Sequence, residues 1–520
     1  MMKSIQRPQG DVIEGGFFMA KTVKPTQSEI DGIQYRRAKL WQIILYSCNA
    51  MVGMSVYSLI GYANYAGMIG FGLTAAFIGI VLTCARIFDG ITDPLLAFLY
   101  DKVDTKFGKL RILVIGGFVI EAIALLLMFD GMSSKGFGAA VFILLYALYV
   151  IGYTITNMTA QTLPAIMSND PKQRPLVGVW TTAFNYVVPM VLSIILSMVI
   201  LPMAGGEYNQ AFLSMAVKVC VAIGAVGVVL VCIGISAFDK PEYYRGIGQR
   251  KPLKLRDMVE VLRNNKPLKC YIAAQASDKI AQITMTQSII GTLMYGILIG
   301  NVGMGTMLSV IAMLPSIVFA VIGAKYAGKH GSMKAIVTWT KVCMGMAVIQ
   351  FVYFVALRFT VGTQTIAVKG IPMILFVLLT LGLNAAKMCV TTADTSFMAD
   401  VIDYELDRSG RYIPAVVTGT YSLIDKIISS FGALLASLAI MVCGYASTTP
   451  PQPGDPATNV IFWVTMFVWF GLPMLGWLVT LIAMKGCKLT REEMVNVQKR
   501  IAEKKKEGIL DTARENGVNV

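Results

Sequence analysis

The chain is a succession of long apolar runs separated by short polar links, and a bilayer is the solvent in which so many of them coexist in one polypeptide. Twelve runs are read, at about 40–66, 72–99, 112–130, 138–164, 177–203, 211–238, 268–299, 303–324, 335–357, 371–400, 413–443 and 459–485. Charged residues make up 14% of the chain, against about 25% in soluble domains. The expectation is an all-α membrane protein: twelve transmembrane helices in two six-helix halves, 40–238 and 268–485. A tail of 1–39, a central loop of 239–267 and a tail of 486–520 complete it. No apolar core of signal-peptide length precedes the first run, so no cleaved leader is expected.

Basic residues orient the bundle. The tails, the central loop and the loops after the even-numbered runs of each half, with Lys269 and Lys485 at their edges, hold 36 Lys and Arg; the opposite side has Lys135, Arg358 and Lys369. Such asymmetry places both termini in the cytoplasm of a multi-pass protein of the plasma (inner) membrane. The net charge of +15 is therefore topological, and nucleic acid is not an expected partner. A single histidine excludes a catalytic His constellation. Nine cysteines without a CxxC pair indicate neither zinc nor a disulfide framework. No cofactor is expected, and an enzyme is the weakest function class.

The second run contains Arg86-Ile-Phe-Asp89-Gly-Ile-Thr-Asp93-Pro94. Spacings of three and four put Arg86, Asp89 and Asp93 on one helical face. Each charge at mid-bilayer costs roughly 2.5–3.5 kcal/mol, so the face is read as turned to a functional cavity. The competing reading is a structural salt bridge, but one arginine cannot neutralise two acids. Pro94 is expected to bend the helix. Further ionisable residues fall at Glu121, Lys218, Asp278, Lys279, Lys341, Lys387, Asp394, Asp425 and Lys426. Lys426 is the best placed to reach Asp89 or Asp93. Glu121 and Lys218 are read as equally compatible with structural roles, and Lys341 as an anchor that snorkels.

Aromatic residues gather in the first, fourth and fifth runs: Tyr57, Tyr62, Tyr65, Tyr149, Tyr153, Trp180 and Tyr186. A ring flanked by polar groups suits a sugar, whose C–H face stacks while its hydroxyls bond. Packing or an interfacial belt is the alternative for any one of them. Asn157 and Gln161, with Thr156 and Thr159, form a neutral polar stripe suited to a polyol. In the central loop, 252–263 is amphipathic with Leu255, Met258, Val259 and Leu262 on one side, fitting either the membrane surface or a solvated linker. The stretches 100–111 and 323–334 echo each other, both basic and glycine-bearing, at matching places in the two halves. This pattern fits a two-half transporter with its site between the halves.

Ala85 to Pro94, followed by Asp101 and Lys106-Phe-Gly-Lys-Leu-Arg111, resembles the signature of the glycoside–pentoside–hexuronide:cation symporters, the melibiose permease-like family of the major facilitator superfamily. Asn265-Lys-Pro-Leu268, Ala399-Asp-Val-Ile-Asp-Tyr-Glu405 and Lys426 agree with it. The resemblance implies the major facilitator fold. It also implies cation-coupling roles for Asp89, Asp93, Arg86 and Lys426. Where the family has an acid in helix one, this chain offers Asn49; Asn157 to Gln161 replaces its helix-four motif, and Thr181 stands at its helix-five arginine. The sugar contacts are thus rewritten. Candidate substrate contacts are Asn49, Tyr57, Tyr153, Asn157, Gln161, Trp180, Lys387 and Asp394.

The expected protein imports a glycoside or oligosaccharide with H+ or Na+ by alternating access, as a chain compatible with a monomer. Asp89 and Asp93 act as metal ligands only if Na+ is the ion. Two close carboxylates favour a proton, and neutral oxygens leave Na+ open. The rival classes are a carrier of a lysolipid or nucleoside, and a non-transporting sensor. Cysteines placed at Ser133 or Asp455 are expected to react with an impermeant thiol reagent from outside, and one at Gly248 only after permeabilisation. The reverse pattern would refute the orientation.

Overall fold

The computed structural model describes residues 37–102, 108–167, 174–239, 255–410, 413–445, 449–501 and 503. Every apolar run is helical: α1 Leu40–Ile60, α2 Ala75–Lys102, α3 Leu110–Gly131, α4 Ala139–Met167, α5 Arg174–Ile194, α6 Gln210–Ile235, α7 Lys266–Thr286, α8 Val302–His330, α9 Ser332–Phe359, α10 Ile371–Ser409, α11 Pro414–Val442 and α12 Asn459–Gly486. Among the described residues nine helices are long and apolar enough to cross a membrane, or ten if the bent pair Ser288–Leu298 and Val302–Ala312 counts as one span. The helix of α2 continues through Pro94 to Lys102. In the first half α3 packs on α4 and α1 on α6; in the second, α8 and α9 pack on α10, and α7 on α11 and α12. The halves meet chiefly where α2 lies along α11.

At the basic end, each half is tied by a glycine turn. Gly108 has φ +94° and leads into α3. The Asp239 carboxylate accepts from the backbone N–H groups of Lys109, Leu110 and Arg111 at 3.0, 3.1 and 2.9 Å, and from Arg111 Nε at 3.2 Å. An anion at a helix N-terminus satisfies orphan donors and complements the dipole. Gly331, φ +90°, does the same between α8 and α9. There Arg491 donates to the Lys329 carbonyl, placing a cation at the C-terminal end of α8. The echo between 100–111 and 323–334 is thus an echo of backbone geometry, answered by charges of opposite sign.

Two stretches that carried the family resemblance also meet here. Asn265 caps α7 through Leu268 N at 2.9 Å and donates to Glu405 of α10 at 2.9 Å, while Arg408 pairs with Glu405 at 2.7 Å. The central-loop helix, Leu255–Asn264, docks on this end of the second half. Its register corrects the expected apolar side: Val261 is fully buried, with Met258 and Leu262 packed beside it, and Val259 is exposed. A protein surface, not a plane of lipid or solvent, therefore decides which side is covered. The helix at 491–501 docks nearby through Gln498 on Asp403 and Arg500 on Asp407.

At the opposite end the halves are joined by neutral hydrogen bonds. Ser288 N donates to Gly61 O at 3.1 Å and Asn64 to Gln287 at 3.3 Å. Tyr65 donates to Thr292 at 2.7 Å and to Pro451 O at 3.0 Å. Tyr62 and Tyr65 stack with Tyr208 and Phe212. These two tyrosines of the aromatic group are packing residues of this seal. Ser133 is buried and bonded to Gln210, so the exposed Lys135 is the better place for the labelling cysteine.

A Cβ on Gly108 would stand 2.2 Å from Asp239 Oδ2, whereas one on Gly116 meets nothing within 4 Å. Gly108→Ala is expected to destabilise the protein by about 1–3 kcal/mol through strain at positive φ. Gly116→Ala is expected to be neutral or mildly stabilising, helix propensity favouring Ala by about 0.5–1 kcal/mol. Thermal unfolding of the two variants in detergent checks the contrast.

Candidate functional site

The site forms where α2 lies antiparallel along α11. A small residue allows the approach at one point, where a Cβ on Gly79 would sit 2.7 Å from Ser437; at Gly90 a Cβ would make ordinary contact with Leu423 at 3.7 Å. Thr83 donates to the Ser430 carbonyl at 3.0 Å between these points. Within this seam Lys426 Nζ reaches Asp89 Oδ2 at 2.9 Å. The other carboxylate oxygen accepts from Thr154 of α4 at 2.6 Å. Asp89 is thus held by two further helices, one from each half. The side chains of Asp89 and Lys426 are 17% and 27% exposed, so the pair is largely but not wholly withdrawn from solvent.

Arg86, one turn before Asp89, lies towards Tyr146, Tyr149 and Tyr153 of α4 and Asp425 of α11. Tyr153 lies near both Asp89 and Arg86. The side chains of Asp93 and Gln161 lie outside the described residues. Tyr57 and Asn157 are exposed, and Asn49 is half-buried in α1. The half-buried Trp180 lies 6.5 Å from the Phe184 ring at a tilt and packs against the cluster of Ile43, Tyr46 and Val231. Lys387 and Asp394 of α10 belong to a separate group against α7: Lys387 Nζ stands 5.7 Å from the Trp477 ring, and Asp394 lies beside Gln275, Asp278 and Lys279.

Glu121 is fully buried where α3 and α4 cross at Gly117 and Gly152. It accepts from Thr156 at 2.5 Å, which removes Thr156 from the polyol stripe. Lys218 pairs with Asp130 at 3.1 Å and ties α6 to the end of α3. Tyr271, Gln275 and Tyr421 stand among the acidic residues of the second half, and the sequence marks them only faintly. Their signal there is a Tyr-x-x-x-Gln on α7 and a Tyr one turn before Asp425, weak beside the charged residues. Among the described residues no group of three or more His, Cys, Asp or Glu is arranged to hold a metal ion.

Two six-helix halves meeting at a charged seam inside the membrane define a secondary transporter of the major facilitator type. The family model described as MFS/sugar transport protein matches residues 48–491, and the chain belongs to that family. It is 23% identical over 397 residues to YagG of Escherichia coli K12, described as a glycoside/cation symporter, covering 75% of this chain and 80% of that one. The lactose permease of Lactobacillus helveticus is 22% identical over 438 residues, 80% of this chain and 63% of the permease. The inner membrane symporter YicJ of E. coli K12 is 30% identical over 141 residues, 26% of this chain and 30% of YicJ. Among solved structures, the nucleoside transporter NupG aligns at TM-score 0.57 and 14% identity over 86% of this chain and 99% of NupG. The peptide transporter POT aligns at TM-score 0.57 and 13% identity over 87% and 96%. At these identities the structural likeness is one of fold.

Removing Lys426 takes away the ammonium that meets Asp89 at 2.9 Å in a setting largely withdrawn from solvent, and breaking such a pair by removing one partner is strongly unfavourable. Lys426→Ala is expected to reduce transport on the order of tenfold or more at near-normal expression. Wild-type coupled uptake by that variant in proteoliposomes would make Lys426 a bystander.

Proposed function

We propose that the protein is a secondary active transporter that imports a glycoside or oligosaccharide together with H+ or Na+. The observation that supports it most is the Lys426–Asp89 pair, a charge contact between helices of opposite halves. A cation at the Asp89/Asp93 face neutralises the negative charge that holds Lys426. The lysine is then released, and the packing of α2 on α11 loses its charged tie. The preferred arrangement of the two halves shifts by the differential binding of the ion to the two states. Sugar and ion bind with reciprocal coupling.

With both termini in the cytoplasm of the inner membrane, the neutral seal between the halves faces outward. The described arrangement is then the inward-facing member of the cycle. The names of the curated relatives favour a sugar over a nucleoside or lysolipid. The pair of acids on α2 favours a shared proton, while Thr154 adds a neutral oxygen next to Asp89 that also suits Na+.

Asp93→Asn mimics the neutralised carboxyl. It is expected to abolish uphill accumulation and to leave downhill counterflow. Proteoliposome uptake with Na+ and pH gradients imposed separately measures both. Undiminished accumulation by this variant would sink the coupling model. Uptake that follows an inward Na+ gradient at fixed pH, and ignores a pH gradient, would replace H+ by Na+.

A further inference from the structure

The second half holds a polar constellation that the Asp89–Lys426 pair does not use. Asp394 on α10 is 8% exposed, and its Oδ1 is buried with no hydrogen-bond partner among the described residues. Oδ1 of Asp425 on α11 is in the same condition. Both carboxylates lie beside Tyr271 of α7. The Tyr271 ring stands 5.0 Å from that of Tyr421 at an interplanar angle of 48°. The Tyr421 hydroxyl lies near Asp425, and Gln275 lies near Asp394. Two acceptor oxygens on neighbouring helices therefore stand by a tilted aromatic pair. Buried carboxylate oxygens without partners are uncommon and costly, and the groups that satisfy them are hydrogen-bond donors.

Ligand hydroxyls and ligand ammonium groups both donate. The charges around the constellation decide between them. Asp425 lies near Lys279 and Arg86, Asp394 near Lys279 and Asp278, and Asp278 near Lys387. With the coupling ion at the α2 face, the formal charges of Asp89, Asp93, Asp278, Asp394 and Asp425 are matched by that ion together with Arg86, Lys426, Lys279 and Lys387. A ligand with an ammonium or a carboxylate would bring one uncompensated charge into a poorly solvated site. A neutral polyol brings none. Its hydroxyls supply the donors, and its C–H face suits the half-buried Tyr421 ring, which the buried Tyr271 holds in place.

We infer that Asp394 and Asp425, with the Tyr271–Tyr421 pair, form a subsite of the second half for a neutral, hydroxyl-rich glycosyl unit, selected against uronic acids and amino sugars. This rests on the transport reading above and adds the class of sugar and the residues that select it.

The test uses the full chain in proteoliposomes loaded in turn with lactose, cellobiose and xylobiose, reading counterflow of whichever is carried. The matching neutral monosaccharide, its uronic acid and its 2-amino analogue then compete. The neutral compound is expected to compete at least about tenfold better than either charged one. Asp394→Asn is expected to raise the half-saturating concentration about 10- to 100-fold, the loss of a charged hydrogen bond. Asp425→Asn shifts it in the same direction and decides the matter if Asp394→Asn fails to accumulate. In Asp394→Asn the response to the coupling-ion gradient stays as in the wild type, because Asp394 lies away from the α2 face; Asp425→Asn, which faces Arg86, is read for half-saturation alone. Equal competition by a charged analogue, or wild-type half-saturation in the variants, overturns the subsite while leaving sugar transport standing. A wild-type chain that carries no sugar of the panel overturns both.

Discussion

One ion pair inside the membrane gives the molecule its central constraint. Asp89 and Lys426 belong to different halves and meet at 2.9 Å along a seam of glycine, serine and threonine. Each charge alone is unfavourable at that depth, and the pair is tolerable only while the helices stay close. The contact therefore ties the charge state of a carboxylate to the distance between two halves of the protein. Thr154 on a third helix fixes the carboxylate's orientation, so that the lysine meets a defined oxygen. A chain arranged this way responds to a cation by changing its packing.

The remaining contacts divide according to what must stay rigid and what must part. At the basic end the ties run within each half: Asp239 to the start of α3, Asn265 to Glu405, and Arg491 to the end of α8. The first and last set a charge against backbone groups at helix ends, where the dipole and the orphan donors or acceptors strengthen them, and the second joins two side chains. At the other end the halves are joined by neutral bonds such as Asn64 to Gln287 and Tyr65 to Thr292. Neutral hydrogen bonds contribute about 0.5–1.5 kcal/mol each net, little enough to be exchanged for water when the halves rock apart.

Polar residues in the apolar runs follow the same division. Glu121 and Lys218 serve local joints, one at a glycine crossing and one at a helix end. The acids and lysines of α7, α10 and α11 face one another across the second half, at a place where two carboxylate oxygens have no partner. The same residue types thus do different work according to the helix opposite them.

The apolar runs were enough to place a helix in each of them, because a segment in hydrocarbon must satisfy its own backbone. Residue spacing alone put Arg86, Asp89 and Asp93 on one face, and charge alone named Lys426 as a partner for that face. Spacing along one helix says nothing about the distance to another, so only the tertiary structure brought Lys426 to Asp89 and Thr154 to its other oxygen. The same limit hid the seal formed by Tyr62 and Tyr65, the burial of Val261 in place of Val259, and the meeting of Tyr271 and Tyr421 beside Asp394. Each of these depends on which surface a helix finds opposite it, and that is settled by packing between segments far apart in the chain.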